Sequence, residues 1–351
     1  MAINLHEVYA KEIQTKFTRE SLLNGRLSNL YTFSGVKTVN VTTPITVPMV
    51  DYTRSGANRY GDPVEMQDVV QEMTLTQDKS FALTIDKGNN LDQNGVKAAG
   101  KMLSLQLEEQ AIPVMDTYCF DQLAHKAGKI VGSETALTKS NICSRITAGT
   151  TFLDDAEVPV EDRTLFLTGT TYALLRMSDE FQKCDALLHT AIAKGQVGTY
   201  DGMAVVKVPE SRFPANVNFI IVHKSAACAP VKLNDTKLHE DPPGISGSLL
   251  EGRQYYDLFV FGAKANGVYV DVNTASGKAT VCADPAITAA GALSCGTTGA
   301  TIYYTTDGSD PRYSKSAKAG STSDVTASGT RVRAFATKDG CFASGVVEKT
   351  L

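Results

Sequence analysis

The chain has 351 residues, of which 42% are hydrophobic and 21% charged, proportions that are typical of globular proteins and allow two or three domains. With 34 Lys and Arg against 38 Asp and Glu, the formal net charge is -4, which argues against a protein that works mainly by coating nucleic-acid phosphates. No apolar run approaches the ~20 residues of a membrane span, so the sequence excludes membrane insertion.

Residues 1–47 indicate an arm rather than a domain. The segment from Met1 to Lys16 contains no apolar stretch of the secretory type, so we expect synthesis and use in a cytoplasm. Threonines and valines alternate between Val36 and Thr43, which predicts an extended strand with one half-buried face. No partner strand is evident nearby in the sequence, so we expect the partner elsewhere.

Residues 48–85 predict a long, hairpin-like extended loop. Its outgoing and returning β-like stretches are Ile45–Tyr52 and Glu72–Ile85. The polar tip between them holds four candidates for contacts between subunits: Arg54, Arg59, Asp62 and Glu65. A two-stranded ribbon of this size is marginal alone, so we expect it to lie on a neighbouring subunit.

The strongest helix signal runs from Gln93 to about Lys126, where apolar residues recur at steps of three and four. Such a helix would be roughly 50 Å long at ~1.5 Å per residue. Pro113 lies inside it and removes one backbone donor, so we expect the helix to bend there or end just before.

Residues 129–244 alternate short strands and helices, which predicts a compact α+β domain. Arg163–Leu167 predicts a buried strand followed by a helix capped by Thr170 or Thr171, and Asn218–His223 predicts another strand. Gly195–Val208 predicts a hairpin that turns at Asp201-Gly202.

A last pair of stretches, Tyr255–Gly262 and Val268–Val272, is joined across Asn266-Gly267 and predicts two long strands beside the long helix. After these, Ala, Gly, Ser and Thr dominate, and Asn273–Lys278 indicates a linker. Strand signals at 300–305, 329–336 and 346–350 predict a small β-sandwich.

The sequence shows no catalytic, cofactor or metal site, and we predict that the protein is not an enzyme. Seven cysteines occur singly, without a CxxC pair, and we interpret them as small buried hydrophobes. The disulfide state of three of them stays open: Cys282, Cys295 and Cys341. Gly244–Ser248 lacks the second glycine of a nucleophile elbow, and residues 86–97 lack the glutamate that closes a calcium loop.

The arm, the ribbon and the long helix find no strand or packing partners within their own stretches of sequence, which favours a multisubunit lattice. Their order resembles the major capsid proteins of tailed bacteriophages, the Hong Kong 97 type of coat fold. Lys79–Asp86, leading into the helix from Gln93, resembles the return strand of the extended loop, and Gly198–Val206 resembles an axial-domain hairpin. Asp257–Gly262 followed by Gly267–Val270 resembles the closing peripheral strands.

This resemblance implies an α+β capsid fold with four parts: an N-terminal arm (1–47), an extended loop (48–85), a peripheral domain with a spine helix (86–128 and 245–272) and an axial domain (129–244). It implies pentamers and hexamers of an icosahedral shell around double-stranded DNA. The implied partners are the protein itself, a scaffolding protein, a portal, and DNA held without sequence specificity at the inner surface. The implied location is the virion capsid, after assembly in the host cytoplasm.

Two features of the capsid interpretation concern particular residues. The axial hairpin, with Tyr200 and Asp201, would meet its copies at the capsomer axis. Some relatives cross-link through a lysine near the loop tip, but residues 51–68 contain no lysine, so we expect no covalent cross-linking.

The last 79 residues, 273–351, resemble the immunoglobulin-like domain at the C-terminus of chitobiases and β-hexosaminidases. Ile302 and Tyr304 are expected to pack against Val332 and Ala334. The motif residues that carry the resemblance are Tyr303, Tyr304, Asp307, Gly308 and Pro311. The resemblance implies a surface knob that binds glycans or a cell surface, or that has no ligand. We expect its deletion to leave shell formation intact.

The alternative functions are a carbohydrate-binding protein and another virion part, such as a tail tube or decoration protein, with the same domain. The sequence has no Trp to stack on sugars and no recognisable pair of catalytic carboxylates, which argues against the first. The long helix argues against the second.

Overall fold

The computed structural model describes residues 20–31, 33, 37–46, 49–63, 65–66, 68–92, 97–179, 198–320 and 330–351. The helices are α1 Lys87–Asp92, α2 Ala99–Gln106, α3 Ile112–His125, α4 Ile142–Asp155 and α5 Gly169–Arg176. The strands are β1 Thr38–Pro44, β2 Asp68–Thr74, β3 Gln77–Asp86, β4 Lys129–Ser133, β5 Arg163–Thr168, β6 Thr199–Tyr200, β7 Met203–Val208, β8 Val217–His223, β9 Ala227–Cys228, β10 Val231–Glu240, β11 Gly247–Tyr256, β12 Phe259–Val260, β13 Val268–Asn273, β14 Ala286–Ile287, β15 Leu293–Ser294, β16 Thr301–Thr305, β17 Lys318–Ala319, β18 Arg331–Thr337 and β19 Val347–Thr350.

The extended loop begins and ends in two strands of this chain, β1 and β2, that pair with each other. β1 pairs antiparallel with β2, and the hydroxyls of Thr38 and Thr74 lie 2.8 Å apart across the pair. The partner of the alternating Thr and Val strand is therefore the returning side of the loop. The prediction of Ile45–Tyr52 as the outgoing strand is wrong, because its side chains at Met49, Val50 and Tyr52 are exposed and have no sheet to pack on.

The returning strand continues as β3, which pairs antiparallel with β11 along its whole length. β11 also pairs with β10, so the three strands form one sheet in the order β10-β11-β3. β3 therefore finds its strand partner within the same chain, in β11, while contact of the loop with a neighbouring subunit stays a prediction.

The long helix runs from Ala99 to His125, because α2 and α3 are joined by a π-helical turn at Leu107–Ala111. The predicted start at Gln93 lies outside the described residues, as do residues 94–96, and residues 97–98 are not helical, so the described helix begins at Ala99. The helix does not end before Pro113 but continues to His125. Pro113 stands directly after the wide π turn, where the backbone hydrogen bonds already shift their register.

A six-stranded sheet forms the centre of the protein, in the order β4-β13-β8-β5-β7-β6. It confirms the predicted strands at Arg163–Leu167 and Asn218–His223 and the turn at Asp201-Gly202. The helix cap is Thr168 rather than Thr170 or Thr171, because the Thr168 side chain accepts a hydrogen bond from the Thr171 amide in the first turn of α5.

Of the two predicted long strands, Tyr255–Gly262 is wrong, because β11 ends at Tyr256 and β12 holds only Phe259–Val260. Val268–Val272 is confirmed as a strand, but it does not lie beside that first stretch. β13 instead lies inside the central sheet, parallel to β4 and antiparallel to β8, while β12 pairs with β9. β13 is buried along nearly its whole length, as expected for a strand covered on both faces. The central sheet therefore joins residues from both sides of the predicted boundary between axial and peripheral domains.

Each face of the central sheet has its own hydrophobic core. On one face the spine helix contributes Phe120 and Leu123, and Phe120 meets Phe166 of β5 edge to face at 5.2 Å. On the other face α4 packs Ile146 and Leu153 against the sheet. We call the chain before residue 273 the body. It is thus a layered α+β structure in which both helices are fixed by apolar burial.

The C-terminal domain is all-β, as predicted. β17, β16, β18 and β19 form one sheet, and the β14–β15 hairpin packs on it. Tyr304, Val332 and Ala334 share its core with Ile302 packed against them, which confirms the predicted facing pairs. The predicted linker is not free, because it contains the turn Ala275–Gly277 and its Lys278 carbonyl accepts a hydrogen bond from Asn216 of the body.

No helix in the described part of the chain has both the length and the apolar character needed to cross a membrane.

Candidate assembly and docking surfaces

The tip of the extended loop carries a cluster of exposed apolar side chains. We call it the tip cluster, and its members, with exposed fractions from 51% to 100%, are Met49, Val50, Tyr52, Tyr60 and Met66. Burial of such apolar side chains against another surface contributes a stabilising free energy of about 25 cal/mol per Å². Contiguous exposed apolar surface is typical of interaction sites.

Local hydrogen bonds give the tip its shape. The Asn58 side chain donates to the Asp62 carboxylate at 2.8 Å, and the Arg59 guanidinium donates to the Gly56 carbonyl at 3.3 Å. Tyr52 and Tyr60 meet edge to face at 5.0 Å. The structure thus places Arg59 and Asp62 in one turn of the tip.

The remaining charged candidates of the loop, Arg54 and Glu65, are exposed at the same tip. At the turn between β6 and β7, Asp201 is exposed and has a φ of 50°, followed by Gly202 at 73°. Two successive residues with positive φ fit a tight two-residue hairpin turn. Tyr200 is half-buried and packs on the apolar core beneath the hairpin, so its ring helps to hold the turn in place. Contact of these residues with another subunit stays a prediction.

The two motif tyrosines of the C-terminal domain serve its packing. Tyr304 is buried in the domain core. Tyr303 stacks on Phe335 of the adjacent strand, with ring centroids 5.7 Å apart. Each ring is therefore committed to its own sheet.

The motif turn is held by the carboxylate of Asp307. This group accepts hydrogen bonds from the Ser309 amide at 2.9 Å and from the hydroxyls of Ser309 and Ser316 at 2.5 Å each. Although burial raises the pKa of Asp307, these hydrogen bonds hold it below its usual value. Gly308 has a φ of 79°, which favours glycine, and Pro311 is buried beyond the turn.

The chain after this turn docks the C-terminal domain on the body. Arg312 pairs with Asp310 at 2.7 Å and donates to the carbonyls of Ala127 and Gly128 at 3.0 Å and 2.6 Å. These carbonyls follow the C-terminus of the spine helix, where carbonyl groups lack helical partners and the helix dipole is negative. A guanidinium therefore complements this end of the helix in both hydrogen bonding and charge.

Two aromatic side chains of the C-terminal domain complete this contact. The Tyr313 hydroxyl donates to the Lys126 carbonyl at 2.5 Å, and burial raises the pKa of Tyr313, so the donor stays protonated. Phe342 is 6% exposed, belongs to the apolar core of the body and stacks on His125 at 4.6 Å. We call the contact made by Arg312, Tyr313 and Phe342 the docking contact.

A buried carboxylate, Asp257, joins the base of the loop to the spine helix. It accepts hydrogen bonds from the Thr76 amide and hydroxyl at 2.8 Å each, from the Tyr118 hydroxyl at 2.7 Å and from the Leu258 amide at 2.7 Å. Burial, and then the neighbouring Asp257, raise the pKa of Tyr118 to about 12, although hydrogen bonds from Thr76 and Gln77 lower it. Thr76 lies between β2 and β3, so this network sets where the loop leaves the body.

A second buried carboxylate, Asp116, faces the N-terminal segment. It accepts from the Ser21 hydroxyl at 2.7 Å, from the Leu22 amide at 3.2 Å and from Arg212 at 3.1 Å. Sequence reasoning missed Asp116, Asp257 and the docking contact. The available signal was a single aspartate within each apolar stretch, since such a charge is kept only with partners.

Comparison with protein families finds one match within the C-terminal domain. Residues 288–348 match the family described as the chitobiase/beta-hexosaminidase C-terminal domain. Comparison with curated proteins finds no match.

Comparison with solved structures finds similar chains from several phages. A structure from Mycobacterium phage Che8 has a TM-score of 0.65 at 16% identity, over 78% of this chain and 100% of that chain. The capsid structure of the Cyanophage P-SCSP1u has a TM-score of 0.63 at 13% identity, over 77% and 93% of the two chains. The asymmetric unit of the bacteriophage PhiM1 mature capsid has a TM-score of 0.59 at 13% identity, over 78% and 92%.

At these identities the likeness establishes the fold. The protein therefore has the α+β fold of phage capsid structures, followed by an all-β C-terminal domain of the chitobiase/β-hexosaminidase type.

Proposed function

We propose that this protein is the major capsid protein of a tailed phage, which self-assembles into the pentamers and hexamers of an icosahedral shell around double-stranded DNA. The observation that carries the proposal is the fold shared with phage capsid structures, matched over 93% of the P-SCSP1u chain and 92% of the PhiM1 chain. The tip cluster supports it, because a loop that presents five large apolar side chains to water needs a surface to cover them.

The proposed mechanism is binding without turnover. The tip cluster would bury its side chains on an adjacent subunit, while Arg54, Arg59, Asp62 and Glu65 at its rim select the register. Exposed ion pairs contribute only ~0–1 kcal/mol each, so apolar burial summed over the interface supplies most of the stability. The hairpin at Asp201 would meet its copies around the capsomer axis, in a contact that closes by rotation.

The remaining partners follow from the same proposal. A scaffolding protein and a portal would take part in assembly in the host cytoplasm, and DNA would lie against the inner surface without base recognition. The motif tyrosines and Asp307 are committed to the fold of the C-terminal domain. They therefore favour a structural role for this domain over a carbohydrate-binding one.

Negative-stain electron microscopy of the expressed full-length protein, with sedimentation of the same sample, tests the proposal. We expect closed shells or rings of five and six subunits. A uniform monomer, even after co-expression with candidate scaffolding proteins, would contradict it. Long tubes of stacked rings would instead favour a tail protein.

Replacing two members of the tip cluster, Met49→Asp together with Tyr60→Asp, is expected to reduce shell yield at least about tenfold. Each carboxylate would have to leave water in the proposed interface, and 1.4 kcal/mol already corresponds to a factor of ten. Because both side chains are exposed in the monomer, its melting temperature should not change. Shell yield is measured by sedimentation.

The matched control for this experiment is Met177→Asp, which changes a side chain that is 54% exposed outside both the arm and the loop. It tests whether any exposed apolar-to-charged change has the same effect. Normal assembly of the double tip variant would remove the tip cluster from the proposed interface.

A further inference from the structure

Three cysteines of the C-terminal domain lie together beside the docking contact. Cys282 is 3% exposed, and Cys295 and Cys341 are partly exposed. All three are free thiols. Cys341 directly precedes Phe342, whose side chain enters the core of the body.

The backbone brings two of these residues onto adjacent segments. Val281 and Phe342 form a parallel β-bridge, in which the Phe342 amide donates to the Thr280 carbonyl and the Cys282 amide donates to the Phe342 carbonyl, both at 2.9 Å. The Cys341 thiol lies near enough to Cys282 to contribute, after burial, to the raised pKa of the Cys282 thiol. Cys282 follows Val281 and Cys341 precedes Phe342, so the two cysteines flank this bridge on neighbouring segments. A disulfide requires Cα atoms about 4.4–6.8 Å apart.

The third thiol is held by its own surroundings. Cys295 Sγ donates to the Ala283 carbonyl at 3.2 Å and accepts from the Thr297 amide at 3.4 Å. Within the described residues no group of three metal-ligating side chains is arranged to hold a metal ion. The geometry therefore distinguishes one thiol pair rather than a three-thiol metal centre.

We propose that Cys282 and Cys341 form a disulfide when the protein meets an oxidising environment, and that this bond locks the segment that carries Phe342 into the docking contact. The proposal goes beyond the capsid function and does not depend on it, since both thiols belong to one chain. An environment that changes from a reducing cytoplasm to an oxidising exterior would form the bond after folding.

The oxidant is a low-molecular-weight disulfide such as oxidised glutathione. The Cys341 thiolate attacks one of its sulfurs, which forms a mixed disulfide and releases one glutathione thiolate. The Cys282 thiolate then attacks the Cys341 sulfur, which forms the intrachain disulfide and releases the second glutathione. The protein loses two protons and two electrons, and one glutathione disulfide is reduced to two thiols.

The order of these steps follows from exposure. Cys341 is partly exposed, whereas burial, together with the neighbouring Cys341 and Cys295, raises the pKa of the Cys282 thiol. The more accessible thiol reacts first with an external disulfide, and the buried one resolves it.

The experiment compares the purified full-length protein after incubation with excess oxidised glutathione and after reduction with dithiothreitol. Free thiols are counted in denaturant with a maleimide, and peptides are mapped by mass spectrometry without reduction. We expect the loss of two free thiols and one linked pair of peptides that contains Cys282 and Cys341. The closed loop spans about 60 residues, so we also expect the oxidised protein to melt at least about 5 °C higher.

Two variants separate this pairing from other thiol chemistry. Cys341→Ser should abolish both the linkage and the rise in melting temperature, whereas Cys295→Ser should keep both. An unchanged thiol count, a linkage through Cys295, or a glutathione adduct that persists on Cys341 would each overturn the proposal. The comparison of oxidised and reduced parent protein needs no substitution, so it stands even where a variant does not fold.

Discussion

The Phe342→Ala variant is expected to lose about 3–5 kcal/mol of unfolding free energy, the usual cost of truncating a buried phenylalanine. Phe342 belongs to the C-terminal domain, but its ring lies in the core of the body and stacks on His125. Its removal leaves a cavity between the two parts of the chain. Chemical denaturation of the full-length protein measures this loss.

The matched control is Tyr303→Ala. Tyr303 stacks on Phe335 inside the C-terminal domain and is only half-buried, so we expect a smaller loss of stability. Limited proteolysis separates the two effects, because only Phe342→Ala should speed cleavage between body and C-terminal domain. Equal stability and equal cleavage in the two variants would mean that Phe342 does not hold the domain in place.

The same contact changes the expected effect of deleting residues 273–351. From the sequence we expect the deletion to leave shell formation intact. In the structure it would expose the apolar core around Phe342 and remove the donors that Arg312 and Tyr313 supply to the end of the spine helix. We therefore now expect the deleted protein to be less stable and to give fewer shells.

Turn residues and hydrophobic periodicity predict the turns, facing side chains and helices that depend on residues close in the sequence. The turn at Asp201-Gly202 and the pairing of Ile302 and Tyr304 with their facing strand follow from residues close in the sequence or from strict alternation. Most of the spine helix follows from its apolar periodicity. The π turn at Leu107–Ala111 does not follow from this periodicity, since hydrophobic spacing carries no signal for one wide turn.

Long-range pairing was the part that the sequence could not provide. The partner of β1 lies across the loop tip, and β13 lies in the central sheet rather than beside its nearest neighbour in sequence. A strand's alternation determines which face is buried but not which strand lies beside it. Arg312 and Phe342 likewise have no local pattern that distinguishes a docking residue from an ordinary one.

The Asp257→Ala variant is expected to lose at least about 3 kcal/mol, because unsatisfied buried donors cost about 1–3 kcal/mol each. The change leaves the amides of Thr76 and Leu258 and the hydroxyl of Tyr118 without their acceptor. Since Thr76 lies at the base of the extended loop, we also expect the loop to lose its fixed direction and shell yield to fall. Denaturation and sedimentation measure the two effects.

Two further variants make this a graded test. Tyr118→Phe removes one donor to Asp257 and should cost about 0.5–1.5 kcal/mol. Asp78→Ala removes the partner of Arg253 on the exposed face of the β10-β11-β3 sheet, where solvent screens the ion pair, and should change stability little. The order Asp257, Tyr118, Asp78 follows from burial alone, because all three side chains have partners in the native structure. If Asp78→Ala costs as much as Asp257→Ala, then the charge of this region, rather than the buried network, orients the loop.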